Sequence, residues 1–399
     1  MKQNNMIQMI EQSQVEWKTI EEVFNIKNGY TPSKSNKEYW EKGTIPWFRM
    51  EDIRENGQII HDSLQKVSES AVKGGKLFPA NSIIVATSAT IGEHALITVP
   101  FLANQRFSCL SVKQKYQQNF DIKFLFYYCF LLSDWCKKNT TMSSFASVDM
   151  VGFRKFQIPI PPLETQKEIV RILDALTAVT SELTSELTSE LKLRQKQYQY
   201  YRDHLLSFGD DVEWKSLGEI GEVRMCKRIL KEQTSEYGDI PFYKIGTFGK
   251  EANAYISRKL FEEYKAKYNY PKKGDILISA SGTIGRTVIF DGKDSYFQDS
   301  NIVWIENDES QVLNKYLFYF YQIVNWNISE GGTIQRLYND NLKKVKIPIP
   351  PLEIQAKIVE ILDKFDRLTH SLSEGLPKEI ELRRKQYEYY RDTLLNFPK

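Results

Sequence analysis

One stretch of this sequence is written twice, and the repeat limits what the chain can become. Residues 160–208 read IPPLETQKEIVRILDALTAVTSELTSELTSELKLRQKQYQYYRDHLLSF, and residues 349–397 read IPPLEIQAKIVEILDKFDRLTHSLSEGLPKEIELRRKQYEYYRDTLLNF. The copies align without a gap, 189 residues apart, with 27 of 49 positions identical. Such self-similarity excludes coincidence, and two long copies are too few for a solenoid. Each opens with Pro-Pro, which fits before a helix or in its first turn. Apolar residues then recur at helical spacing: Ile169, Ile172, Leu173, Leu176, Leu183, Leu187 and Leu191, then Ile358, Ile361, Leu362, Phe365, Leu368, Leu372 and Leu376. About 44 helical residues span roughly 65 Å at 1.5 Å per residue. An apolar stripe of that length needs a partner, and the pattern predicts that the twin supplies it in a coiled-coil-like spacer. Pro377, after Gly375, is expected to kink or break the second helix.

The repeat extends weakly into the segments between. VEWK opens both halves (15–18 and 212–215), IPWFRMEDI (45–53) parallels IPFYKIGTF (240–248), and SIIVATSATIGEHALI (82–97) parallels DILISASGTIGRTVIF (275–290). The offset slides from 197 at the tryptophans to 193 at the Thr-Ile-Gly triplets, so small insertions lie in loops. IIVAT and ILISA read as buried strands. FLANQRFSCLSV and YFQDSNIVWI each suggest the next strand. NFDIKFLFYYCFLLSDWCKK and QVLNKYLFYFYQIVNW read as helices whose aromatic faces pack a core. The fold class expected is mixed α/β, an internal repeat of globular domain and helix. Its divisions are a flexible polar lead (1–14), a domain (15–160), a helix (161–208), a second domain (209–349) and a second helix (350–399).

Composition removes several classes. No apolar run reaches membrane-span length, and the first residues are polar, unlike a signal peptide. Cys109, Cys129, Cys136 and Cys226 show no paired spacing, so reduced thiols in a cytoplasmic protein are expected. The net charge of +3 demands no nucleic acid, but a mild average can hide a basic face.

Catalysis finds little support. GYTPSKS (29–35) imitates a phosphate loop but lacks its second glycine. Glu16-Trp17-Lys18 and Glu213-Trp214-Lys215 echo a nuclease Glu-x-Lys, without a matching acidic residue on a preceding strand. The four histidines have no metal-ligand spacing. Ile-Pro-Pro-Leu lacks the polar first residue of an amino-methyltransferase motif. Catalytic residues and metal ligands are therefore expected to be absent.

Binding remains. Reading nucleic acid needs Lys and Arg for phosphates and polar loop side chains for base edges. The first domain offers Lys34, Arg49, Ser88, Thr90, Asn104, Gln105 and Arg106. At matching places the second offers Lys244, Ser281, Thr283, Arg286, Gln298 and Asn301. Gly92 and Gly285 suit tight turns. At the helix ends, Tyr198, Tyr200, Tyr201 and Arg202, and likewise Tyr387, Tyr389, Tyr390 and Arg391, cannot all face one core. They are read as partly core, partly a partner surface present twice. Helices so alike suit one partner bound twice, and domains so divergent suit two different targets.

Two divergent domains, each followed by PIPPLExQxxIVxILD and then RxKQYxYYRDxLLxF, resemble the specificity subunit of type I restriction–modification systems over nearly the whole chain. The resemblance implies two target recognition domains, each reading half of an asymmetric bipartite site in double-stranded DNA. It implies antiparallel spacer helices that dock two methyltransferase subunits, which two motor-nuclease restriction subunits then join. No cofactor is implied for this chain; S-adenosylmethionine, ATP and Mg belong to the partners. TSELTSELTSEL (180–191) fits a ruler, because one four-residue unit changes a helix by about 6 Å. Three other readings stay open here: a type II-like or methyltransferase-only specificity component, a scaffold without a DNA role, and a free-standing nuclease.

Overall fold

The computed structural model describes residues 10, 13, 15–141, 146–326, 336–371 and 373–398. Leu372 of the apolar stripe and most of the polar lead fall outside them. Ile10, within that lead, is not solvated: it is buried in the first core. The chain forms two compact units, residues 1–185 with 381–399, and residues 186–380.

In the first unit, β1 (Glu16–Thr19) pairs antiparallel with β12 (Gln157–Ile160), so the VEWK segment closes the domain as a strand. The main sheet has the order β2–β9–β6–β7–β4: Phe24–Asn28, Phe107–Val112, Ser82–Ala86, His94–Ile97 and Ile59–Ile60. Beside it lies a small sheet, β5 (Lys66–Val67), β3 (Ile45–Phe48) and β8 (Leu102–Ala103). The pair β10 (Thr140–Thr141) and β11 (Ser147–Val148) completes the strands. FLANQRFSCLSV is therefore not one strand. It is β8 and β9 in different sheets, separated by the polar turn Asn104–Arg106.

The second unit rebuilds the plan with shorter pieces. β13 (Trp214–Ser216) pairs with β21 (Lys346–Pro348). The main sheet runs β14 (Val223–Arg224), β20 (Ile302–Ile305), β17 (Ile276–Ser279), β18 (Thr287–Ile289). The small sheet is β16 (Tyr255–Ile256), β15 (Ile240–Tyr243) and β19 (Tyr296–Phe297). YFQDSNIVWI splits as its counterpart does.

Helix α1 (Ile122–Lys138) starts at an Asp121 cap and buries its aromatic face, including Phe124, Phe126, Tyr127 and Tyr128. Helix α2 (Leu163–Leu205) is continuous through all three TSEL units. Helix α3 (Asn314–Phe320) is shorter than its sequence pattern suggested. The second repeat breaks: α4 (Leu352–His370) ends before α5 (Gly375–Leu394) begins. Gly375 has φ +79°, and a Cβ there would sit 2.4 Å from the Arg367 carbonyl oxygen. Pro377 falls in the first turn of α5, where its missing N–H costs nothing.

Within each unit the start of one long helix lies antiparallel to the end of the other repeat's helix. In the first, Thr177 is hydrogen-bonded to the Tyr387 hydroxyl at 3.0 Å, and Leu394, Leu395 and Phe397 join the core that holds Ile169 and Leu173. Burying three such side chains stabilises by ~1.5–3 kcal/mol each. In the second, Tyr198 packs against Phe365 and His370, and Leu206 shares a core with Ile358 and Leu362.

The PLExQ motif explains how each domain grips its helix. Gln166 is fully buried; its Oε1 accepts from Asp121 N at 2.8 Å, and its Nε2 donates to the carbonyls of Asn119 and Pro161, both at 2.8 Å. Gln355 repeats the arrangement with Leu313 N and the carbonyls of Gln311 and Pro350. Further along each helix, Asp174 takes Lys123 and the Tyr127 hydroxyl, and Asp363 takes Lys315 and the Tyr319 hydroxyl. The lysine pairs are partly exposed and contribute at most about 1 kcal/mol. The buried amides matter more, since each partner left unpaired costs ~1–3 kcal/mol.

Candidate nucleic-acid interface

The first groove forms where the small sheet's strands end. β3 and β8 run parallel, and the Asn104 N–H donates to the Phe48 carbonyl at 3.0 Å, setting Arg49 beside Asn104. Lys34, Arg49, Asn104, Gln105 and Arg106 line one cavity of about 600 Å³, with Thr31, Lys37, Trp40, Glu41, Trp47, Glu51 and Gln65 among its other walls. GYTPSKS supplies part of one wall. Its carbonyls at Tyr30 and Ser33 accept from the indoles of Trp47 and Trp40, each at 3.0 Å, and the two indoles pack edge to face. Gly29 is required because a Cβ would meet the Asn104 carbonyl oxygen at 2.2 Å. The Arg49 guanidinium lies 5.6 Å over the Trp47 ring, with Glu51 3.9 Å from its Nε.

The second groove occupies the matching place. β15 and β19 run parallel, and the Gln298 N–H donates to the Tyr243 carbonyl at 2.9 Å. Lys244, Gln298 and Asn301 line a cavity of about 400 Å³ with Arg228, Lys231, Thr234, Asp299, Ser300 and Arg336. The turn here is one residue longer: Ile302 N returns to the Gln298 carbonyl, where Phe107 N returns to that of Asn104. Each groove gathers four basic side chains, against two carboxylates in the first and one in the second. Charge is thus concentrated locally in a chain whose net charge is only +3.

The Thr-Ile-Gly loops play another part. Ser88, Thr90, Ser281, Thr283 and Arg286 do not line the cavities. Ser281 instead donates to the Asn301 side chain at 2.8 Å, and Arg286 donates to the Phe248 carbonyl at 3.0 Å. Gly92 and Gly285 adopt φ +90° and +80°; a Cβ would meet Ser133 at 2.8 Å or Trp326 at 2.2 Å. Ser281 thus braces the second groove's turn through Asn301, while Arg286 ties to Phe248, which lines neither groove. The sequence reading missed Trp40, Gln65 and Arg336, which lie between the anchors, and Arg228 and Lys231, whose segment has diverged from GYTPSKS. Carrying the first groove's GYTPSKS register to the second half would have found Arg228 and Lys231.

The tyrosine-rich helix ends divide sharply. Tyr198 is 4% exposed, held by Gln322 at 3.0 Å, and burial pushes its hydroxyl pKa up to about 12. Arg391 is 7% exposed and lies over Phe130. Tyr198 and Arg391 are therefore the packing part of that set, while Tyr387 is half-buried with its hydroxyl on Thr177. Arg202 stacks over Tyr198 and pairs with Asp203. Tyr201 and Tyr390 stand at the margin, while Tyr200 and Tyr389, 66% and 67% exposed, point outward at equivalent positions.

All four cysteines are buried as free thiols, raised by burial, Cys226 to about 12. Among the described residues no cluster of His, Cys, Asp and Glu could hold a metal, and no helix is long and apolar enough to cross a membrane.

The sequence profile of the family described as type I restriction modification DNA specificity domain matches residues 12–193 and again residues 209–382. The chain belongs to that family. A putative type I restriction enzyme specificity subunit of Haemophilus influenzae is 52% identical over 98% of this chain and 97% of its own length. The EcoprrI specificity subunit of Escherichia coli is 48% identical over 90% of each chain. A chain from a solved structure concerned with complex assembly and conformational transition of the type I R-M system covers 97% of this chain and 98% of its own, with TM-score 0.69 at 18% identity, which establishes the shared fold. As a member of the type I specificity family, the chain serves DNA sequence recognition in a restriction–modification system, and the two matched segments are the two halves of its repeat.

Proposed function

We propose that the two grooves are the base-reading faces, each selecting one half of an asymmetric bipartite site in double-stranded DNA. The supporting observation is that both domains, despite their divergence, bring basic and amide side chains together at the same parallel strand ends. Basic side chains supply affinity through phosphates, and the amides and those basic groups that reach base edges supply sequence. The chain itself performs no chemistry. Its exposed Tyr200 and Tyr389 belong to a surface, presented twice, for two methyltransferase subunits, with two restriction subunits joining in the cytoplasm. S-adenosylmethionine, ATP and Mg are held by those partners.

The test is the methylation pattern of DNA from cells making this chain with its cognate methyltransferase, set against the methyltransferase alone. A split asymmetric motif with a fixed gap is expected only when the chain is present. No motif from an assembled complex would remove the DNA role from the domains. Deleting one TSEL unit is expected to change the gap by about one or two base pairs while both half-sites persist. An unchanged gap would end the ruler reading.

A further inference from the structure

We infer that each groove selects a guanine at one position of its half-site. It does so through a donor pair: the basic residue ending the middle strand of the small sheet, and the side-chain amide that follows the parallel strand beside it. The pair is Arg49 with Asn104 in the first groove and Lys244 with Gln298 in the second. The inference rests on the grooves being base-reading faces.

The orientation of the amides carries the argument. Asn104 Oδ1 accepts from the Arg106 backbone N–H at 3.0 Å, and Gln298 Oε1 accepts from the Ile245 backbone N–H at 3.0 Å. A backbone N–H can only donate, so the oxygen end of each amide is fixed toward the protein. The NH2 ends have no hydrogen-bond partner among the described residues, and each amide lines its groove together with Arg49 or Lys244. Reading adenine by a bidentate amide needs the oxygen as acceptor for N6 and the NH2 as donor to N7. Here the oxygen is turned toward a backbone N–H of the protein, and the neighbouring basic group can only donate. Two adjacent donors match the two major-groove acceptors of guanine, O6 and N7; thymine offers only O4, and adenine sets its own amino donor beside N7.

The surroundings favour a base over a phosphate. Glu51 stands 3.9 Å from Arg49 Nε, and Asp299 follows Gln298 in the turn that lines the second groove. Carboxylates repel a phosphate but can accept from the N4 amino group of the cytosine paired to that guanine.

The experiment determines methylated motifs for the assembled complex carrying wild-type chain, Asn104→Asp, Arg49→Ala, Gln298→Glu or Lys244→Ala. Asn104→Asp keeps the shape and replaces the donor NH2 by an acceptor. Asn104→Asp and Arg49→Ala are expected to reduce discrimination at one guanine of one half-site by about tenfold or more, with the other half unchanged. The second pair of variants is expected to do the same to the other half. The untouched half, still read, reports that the chain is folded. Weaker methylation at every site with an unaltered motif would mean phosphate contacts and overturn the inference. So would a wild-type half-site without guanine, or variants that leave a bipartite motif intact. A wild-type complex that marks no bipartite motif would overturn the underlying reading, and this inference with it.

Discussion

Gln166 and Gln355 make the same three hydrogen bonds in their respective units, whereas Arg49 and Lys244, at matching strand ends, border grooves of different size and charge. The junctions are duplicated in detail because a buried amide tolerates little change: any substitution strands three polar groups. The grooves face solvent, so their side chains can vary without such a cost, provided the parallel strands beneath them hold the turn. The fold thus separates a fixed mounting from a variable reading face.

Exchange of residues 15–160 for the matching segment of another family member tests that separation most severely. One whole half of the methylated motif should be replaced, with the gap and other half kept; a change in both halves would show that the mounting does not isolate the domains. Gln166→Leu should destabilise by about 3 kcal/mol or more, from the Asp121 N–H and the Asn119 and Pro161 carbonyls left unpaired. Gln355→Leu should cost about the same, read as denaturant unfolding of the assembled complex, and clearly unequal losses would break the equivalence of the two junctions.

The halves should also part in acid. His94 is buried between Phe126 and Phe130, where Thr287 stands in the second half, and burial lowers its pKa to about 4. The unfolded chain therefore takes up a proton first. Stability present above the unfolded pKa of about 6.5 is lost as pH falls toward the folded value, by about 2 kcal/mol between pH 7 and 5. Denaturant midpoints at the two pH values should show this loss, and His94→Gln should remove it. The smallest effect is expected from Lys123→Ala and Lys315→Ala, each under about 1 kcal/mol because both pairs are solvent-screened. A larger loss from either would mean that the ion pair, not the buried glutamine, carries the junction.

Much of this was legible beforehand. Lys34, Arg49, Asn104, Gln105 and Arg106 stand in polar loops at repeat anchors, and they line one cavity. Ser88, Thr90 and Arg286 stand in polar loops of the same kind yet do not line the grooves, because whether a loop residue faces out or back depends on the helix or turn packed behind it. FLANQRFSCLSV read as one strand because its apolar residues run on both sides of the turn. Only the pairing of Trp47 with Leu102 shows that its first part belongs to another sheet.

The two-part plan, the long helices, the break near Pro377 and the kind of residues available for reading DNA are written in the primary sequence. Those follow from periodicity, proline chemistry and a repeat, all local or self-referential properties of the chain. Tertiary structure decided which tyrosines are core, which amide ends remain free, and that segments as distant as Lys34 and Arg106 share one groove. Such facts depend on contacts between residues far apart in sequence, where burial and hydrogen-bond competition, not local propensity, select the arrangement.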